Sequence, residues 1–335
     1  MSLIPLTDRR EIRQALKDMT DVLRRNGEER RVSVGWRGGS GEFDVLWQPK
    51  EEFWALIKPD MTTTLYWCAF GTGSPDEYDH FGIVVEINPP QEGINRRIAG
   101  AFMRDVEGNV YLTHSGKVGG GLKGIGKTEF LKFYRGDNRE TALWPDGVET
   151  EVIVIGRVDS LRLPTHIGHY VHEVERFKAT RRGEISPPER ARKTSFSPEF
   201  SGTRRPHTPR GTVESQCDHG IVTKSLYELL SSRGLKVGND RLRDLYVLTR
   251  GGGIRVLFEV KTDNSTSSIY QAVGQLLFHG ASETRMPKLV AVFPGQPNKK
   301  TKRVLSKLGI RILTYDWEGD RPVFGNLGVE MVTLL

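Results

Sequence analysis

Cysteine is nearly absent from this chain of 335 residues, which holds only Cys68 and Cys217. Two thiols so far apart exclude a disulfide framework and a zinc cluster, and they fit a reducing, cytoplasmic setting. Long apolar runs are also missing, and Met1 to Arg10 has no hydrophobic stretch of the secretory kind, so neither a membrane span nor a signal peptide is expected. An acidic balance is the third absence. With 49 Lys and Arg against 42 Asp and Glu, the formal net charge is +7, which favours polyanionic partners through counterion release. At this length two domains, each with its own core, are expected.

What is present divides the chain into residues 1–175, 176–211 and 212–335. The middle stretch carries ten Lys or Arg against three Glu, with Pro187, Pro188, Pro198, Pro206 and Pro209 and little periodicity. It reads as an extended basic linker, either a solvated tether or a segment that tracks phosphates through residues such as Arg181, Arg182, Arg204 and Arg205.

Residues 1–175 read as a mixed α+β domain suited to recognition. Thr7 to Asn26 predicts an amphipathic helix with Ile12, Leu16, Met19 and Leu23 on one side. Strands are predicted at Thr64 to Phe70, Phe81 to Ile87, Asn109 to Thr113 and Glu151 to Val158. Trp36, Trp47, Trp54, Trp67 and Trp144 lie in this half; core positions are the ordinary use of tryptophan, and an aromatic pocket for a flipped or modified base is the alternative. Gly121 to Thr128 matches the GxxxxGK[ST] phosphate-loop pattern. Its setting argues against a nucleotide site: a long glycine-rich stretch follows the preceding strand, and Glu129 to Tyr134 supports only a short helix. A loop contacting a nucleic-acid backbone through Lys117, Lys123 and Lys127, or a structural loop without a ligand, fits better.

The most informative pattern lies in the last third. Asp244 to Leu248 and Ile254 to Val260 are β-forming runs joined by Thr249-Arg250-Gly251-Gly252-Gly253, a hairpin signal. A turn centred between Gly251 and Gly252 sets Asp244 opposite Glu259, with Cβ atoms about 4.5–5.5 Å apart. Lys261 then shares their face, about 6–7 Å beyond Glu259. Facing carboxylates repel, and a hard divalent cation would compensate; Mg²⁺ typically takes one or two carboxylates and fills its shell with water and phosphate oxygens. An acid and a lysine two residues apart also occur on ordinary solvated strands. Here Leu245, Val247, Val256, Phe258 and Val260 make the opposite face apolar, as a buried sheet requires.

Helices are predicted over His219 to Leu230 and Ser268 to His279, the latter with Gln271 and Gln275 on one face. A strand at Lys288 to Phe293, a basic helix at Lys299 to Leu308 and a strand at Ile310 to Tyr315 complete the set. With Asp244 and Glu259-Val260-Lys261, this order resembles the PD-(D/E)xK nuclease superfamily, which includes many restriction endonucleases, over roughly residues 211–316. Arg243 stands where that family's eponymous proline would precede Asp244.

The resemblance implies an α-β-β-β-α-β core with a mixed sheet, so the whole chain is expected to combine α/β and α+β domains. It implies a metal-dependent DNA endonuclease with Mg²⁺, for which Mn²⁺ substitutes, held by Asp244, Glu259 and the main-chain carbonyl of Val260. Lys261 would orient or deprotonate the attacking water and Gln275 would position it, with Gln271 as the competing choice. Glu214, Asp218 and His219 are possible supporting groups, or else helix-start and capping residues. Double-stranded DNA is the implied partner, and cutting both strands implies a homodimer. A repair or mobile-element nuclease, a phosphate-loop nucleotide-binding protein and a non-catalytic DNA-binding protein are the other readings.

Overall fold

The computed structural model describes residues 2–36, 38–78, 80–119, 124–134, 136, 138–182, 213–240, 242–249 and 251–325, with backbone alone at 213–217. These residues form six helices and three mixed sheets, and the chain divides into two compact units.

In the first unit a short strand, β1 (Ser2–Pro5), leads into helix α1 (Arg9–Asn26). Asp8 starts the helix by accepting hydrogen bonds from the amides of Arg10 and Glu11 at 2.9 and 3.0 Å. Ile12, Leu16, Met19 and Leu23 are buried along one side, as their spacing predicts. Strands β2 (Glu28–Trp36), β3 (Gly39–Gln48), β4 (Phe53–Lys58), β5 (Trp67–Thr72), β6 (His80–Gly82) and β7 (Val85–Glu86) form a sheet of order β6-β2-β3-β4-β5-β7. The expected strand over Phe81 to Ile87 is therefore two strands. One pairs parallel with β2 and the other antiparallel with β5, a division that only the partners decide.

The unit continues through β8 (Gly100–Arg104), β9 (Val110–His114), α2 (Lys127–Phe133), β10 (Arg139–Leu143), β11 (Glu149–Arg157) and α3 (Leu163–Arg182). Strands β1, β10, β11, β9 and β8 close into a barrel. Helix α3 packs against β11, β5 and α1. It is pinned where the Tyr170 hydroxyl lies 2.6 Å from Nδ1 of His114, which also accepts the Gly116 amide hydrogen. Burial pushes the His114 pKa down to about 3, so the imidazole is neutral and serves this core contact. Helix α3 reaches Arg182, well into the stretch that composition assigns to a linker. Phe177 and Ala179 are buried, and Arg176 pairs with Glu173 at 2.7 Å; these contacts outweigh the local basic character. Residues 183–212, including Arg204 and Arg205, lie outside the described residues.

The second unit runs through α4 (Val213–Ser231), β12 (Val237–Asp240), β13 (Arg243–Leu248), β14 (Ile254–Val260), α5 (Thr266–Ala281), β15 (Lys288–Pro294), α6 (Lys299–Lys307), β16 (Ile310–Glu318) and β17 (Arg321–Gly325). The strands lie in chain order in one sheet, parallel from β14 to β16 and antiparallel toward both edges. Each face carries a core. Val222, Leu226 and Leu230 of α4 pack with Leu245, Val247, Val256, Phe258 and Val260 on one side. Ala272 and Leu276 of α5 and Leu305 of α6 pack with Tyr246, Leu257 and Leu289 on the other. Strand alternation thus puts Val256, Phe258 and Val260 of β14 under α4, and Leu257 under α5 and α6. Among the described residues no helix is long and apolar enough to cross a membrane.

Candidate active site

The hairpin register that the site depends on has an unexpected origin. Leu248 pairs with Ile254, so the turn is centred on Gly251, with Gly252 at φ +81. A bulge between Val247 and Leu248 then shifts the ladder, so that Val247 pairs with Val256 and Leu245 with Phe258. Continued by one residue, this register brings Asp244 across from Glu259. Without the bulge the turn would set Asp244 across from Phe258, whose side chain belongs to the α4 core.

The side chains follow from that register. Asp244 and Glu259 are both buried. Asp244 Oδ2 accepts the Val260 amide hydrogen at 2.8 Å, and Oδ1 lies 3.5 Å from His219 Nε2. Lys261 Nζ donates to Glu259 Oε1 at 2.7 Å and to Gln275 Oε1 at 2.9 Å, joining β14 to α5. Burial first, and then the Asp244 charge, pushes the Glu259 pKa up to about 8 despite Lys261 and His219. The pocket therefore favours the protonated form of Glu259 near neutrality.

Of the two glutamines, Gln275 meets Lys261, whereas Gln271 is exposed on the outer part of α5. His219 approaches Asp244. Because α4 begins at Val213, Asp218 and His219 stand inside the helix and neither caps it, which corrects the capping reading for both. Asp218 is buried, and the Glu214 side chain lies outside the described residues.

Three neighbours were not foreseen. The Tyr315 hydroxyl of β16 donates to the Lys261 carbonyl at 3.3 Å, across a strand that sequence reading cannot align in advance. Arg243 pairs with Asp240 at 2.6 Å and with Glu283 at 2.8 Å, fixing the start of β13 to the segment after α5. His279 lies within electrostatic reach of Asp244; burial and then Arg243 hold its pKa below the ordinary imidazole value. The spacing of Gln271, Gln275 and His279 at i, i+4 and i+8 was the available signal.

Among the described residues no group of three His, Cys, Asp or Glu side chains is arranged to hold a metal ion. The buried carboxylates of Asp244 and Glu259 are hard-oxygen groups of the kind that suit Mg²⁺, which completes its shell with water and substrate oxygens.

The predicted backbone-contacting residues are dispersed. Lys117 Nζ donates to the carbonyls of Arg96 and Arg97 at 2.8 and 3.3 Å. Lys127 opens α2, where burial and then Lys117 lower its pKa, and Lys123 lies outside the described residues. Arg181 lies over the Phe177 ring, 5.5 Å from its centroid, and Arg182 ends α3. The phosphate-loop pattern has neither of its structural supports. The strand before it, β9, is antiparallel to both neighbours, and α2 spans only Lys127–Phe133. Comparison of the chain with protein-family models, curated proteins and solved structures finds no match.

Proposed function

We propose that this chain is a metal-dependent DNA endonuclease of the restriction type, related to the PD-(D/E)xK nucleases, with Asp244, Glu259, Lys261 and Gln275 as its active site. The observation that carries the reading is the meeting of two buried, cross-strand carboxylates with a lysine that bridges to a glutamine on the following helix. Purely structural residues rarely take this form, because burying opposed carboxylates is costly unless a cation or proton compensates.

Mg²⁺ held by Asp244, Glu259 and the Val260 carbonyl would supply positive charge beside the scissile phosphate and make a water more acidic. Asp244 is oriented for this by the Val260 amide, which fixes one carboxylate oxygen. Lys261 would set its ammonium charge beside the developing charge on the phosphate or the attacking water. Gln275 holds the ammonium in place from α5, so the side chain is ordered before substrate arrives. The first unit would select a DNA sequence or a modified base, and double-strand cutting would bring two copies together on DNA.

The test is incubation of plasmid DNA with Mg²⁺ and the full chain, beside Glu259→Ala and Lys261→Ala. Nicking or linearisation by the parent that both variants abolish is expected. No cutting by the parent across varied plasmid and genomic DNA, or cutting that survives both substitutions, overturns the reading.

A further inference from the structure

The first unit contains a groove of about 1340 Å³ that the site in the second unit does not explain. This exceeds the roughly 300–1,000 Å³ of a typical small-ligand pocket, leaving space for a planar group and attached polar parts. Trp36, Glu86, Asn88, Arg97, Lys117 and Lys178 lie on its wall.

Trp36 differs from the other tryptophans of this unit. Trp47, Trp54, Trp67 and Trp144 are buried, whereas Trp36 is 37% exposed. It is held edge-on by Trp67 and tilted against Phe43, with ring centroids 5.8 and 5.9 Å away, so an exposed ring is also an oriented one. Trp67 links it to the acceptor on the same wall: its Nε1 donates to Glu86 Oε1 at 3.0 Å, and Asn88 Nδ2 donates to Oε2 at 3.1 Å. Two donors thus fix the carboxylate while leaving lone pairs on both oxygens for a ligand.

Positive charge completes the wall. Lys117 is held by the carbonyls of Arg96 and Arg97, and Lys178 by the carbonyl of Val84 at 2.7 Å, so each ammonium keeps at least one hydrogen for another acceptor. Burial and then Arg182 lower the Lys178 pKa, with Glu86 offsetting part of the effect. Lys117 is exposed and Lys178 half-buried, and a partly buried cation is most stable when an anion joins it.

We propose that this groove binds a nucleotide unit, with the base stacked on Trp36, its amino-bearing edge on Glu86, and its phosphate beside Arg97, Lys117 and Lys178. Stacking on an aromatic ring is tolerant of base identity. The carboxylate makes the choice: it accepts from the exocyclic amine of cytosine, adenine or guanine, a donor that thymine lacks. The chemistry is shared by a free nucleotide and by a base turned out of a duplex. The second source rests on the nuclease reading and would make the groove the place where the first unit inspects a target base.

The test uses the full chain in EDTA, so that binding is measured without cleavage, by equilibrium dialysis of dCMP, dAMP, dGMP and TMP. The three amino-bearing nucleotides are expected to bind about tenfold tighter than TMP, and Trp36→Ala and Arg97→Ala each to weaken them about tenfold. Glu86→Gln is expected to remove the discrimination against TMP while keeping its acceptor for Trp67. Competition by duplex DNA identifies an extruded base as the source, and its absence identifies a free nucleotide; either result sustains the site. No binding of any nucleotide or duplex, or binding unaltered in Trp36→Ala and Arg97→Ala proteins of parental circular dichroism, overturns it. Loss of the nuclease reading would instead be seen in Mg²⁺-dependent cutting, which this assay does not measure.

Discussion

The Asp244 carboxylate accepts the main-chain hydrogen of Val260 at 2.8 Å, so one oxygen of a candidate metal ligand is fixed by the strand that carries the other ligand, Glu259. The bond couples the strand ladder to the chemistry and separates two roles of Asp244. Asp244→Asn keeps an acceptor for Val260 and removes the charge; Asp244→Ala removes both. We expect Asp244→Asn to lose cleavage with little loss of stability. Asp244→Ala is expected to lose cleavage and about 1–3 kcal/mol, the cost of a buried unsatisfied amide. Urea unfolding of both variants beside a plasmid assay checks this, and equal destabilisation by the two would remove the assigned hydrogen-bond role.

Lys261 and Gln275 should differ in degree. Removing a charge that faces the developing phosphate charge is expected to lower kcat by about 10²–10³-fold. Gln275→Ala should lower it less, since it withdraws only a positioning contact, and the exposed Gln271→Ala should leave it unchanged. Single-turnover cleavage ranks the three; a defect in Gln271→Ala as large as that in Gln275→Ala would contradict the assignment.

The Glu259 carboxyl carries a pH dependence with a definite sign. Its pKa rises from 4.5 to about 8 in the fold. Between those values the native state holds a proton that the unfolded chain has released, so the stability of metal-free protein falls as pH rises through this window. Glu259→Gln is neutral throughout and is expected to flatten the decline. Urea midpoints measured in EDTA on both sides of the window report it. A parent protein whose midpoint rises across the window would count against a buried, proton-retaining Glu259.

Metal binding should reverse that decline. A cation that binds only the folded state raises stability with the logarithm of its concentration. Thermal unfolding of EDTA-treated protein is expected to show Tm increasing with added Mg²⁺ or Mn²⁺, and Asp244→Asn and Glu259→Gln should each suppress the increase. An undiminished shift in both would place the binding elsewhere.

Arg243 offers a stability test apart from the chemistry. It pairs with Asp240 and with Glu283, whose side chain is only 5% exposed. Arg243→Ala withdraws the guanidinium from that carboxylate, and a loss of about 3–5 kcal/mol is expected, the range for breaking a buried pair. Double substitution with Glu283→Gln should recover part of it; no recovery would mean that the Arg243 contribution lies in packing.

Short stretches of chain are enough to specify the elements around the site and the types of residue in it. Alternation in β13 and β14 placed Leu245, Val247, Val256, Phe258 and Val260 on one face and left Glu259 and Lys261 on the other, because side chains alternate along any strand. Apolar spacing likewise marked α1, α4 and α5. Tertiary structure decided what depends on partners. The turn is centred on Gly251 rather than between Gly251 and Gly252, and the bulge between Val247 and Leu248 restores the register read from the glycine turn. Whether Gln271 or Gln275 meets Lys261 depends on how α5 is rotated against the sheet, and Tyr315 arrives from a strand that local sequence cannot order. The same holds in the first unit: five tryptophans look alike in sequence, and only packing around Phe43 and Trp67 leaves Trp36 at the groove. Local steric preferences and hydrophobic periodicity are written in short stretches of chain, whereas register, rotation and exposure arise when distant stretches compete for the same space.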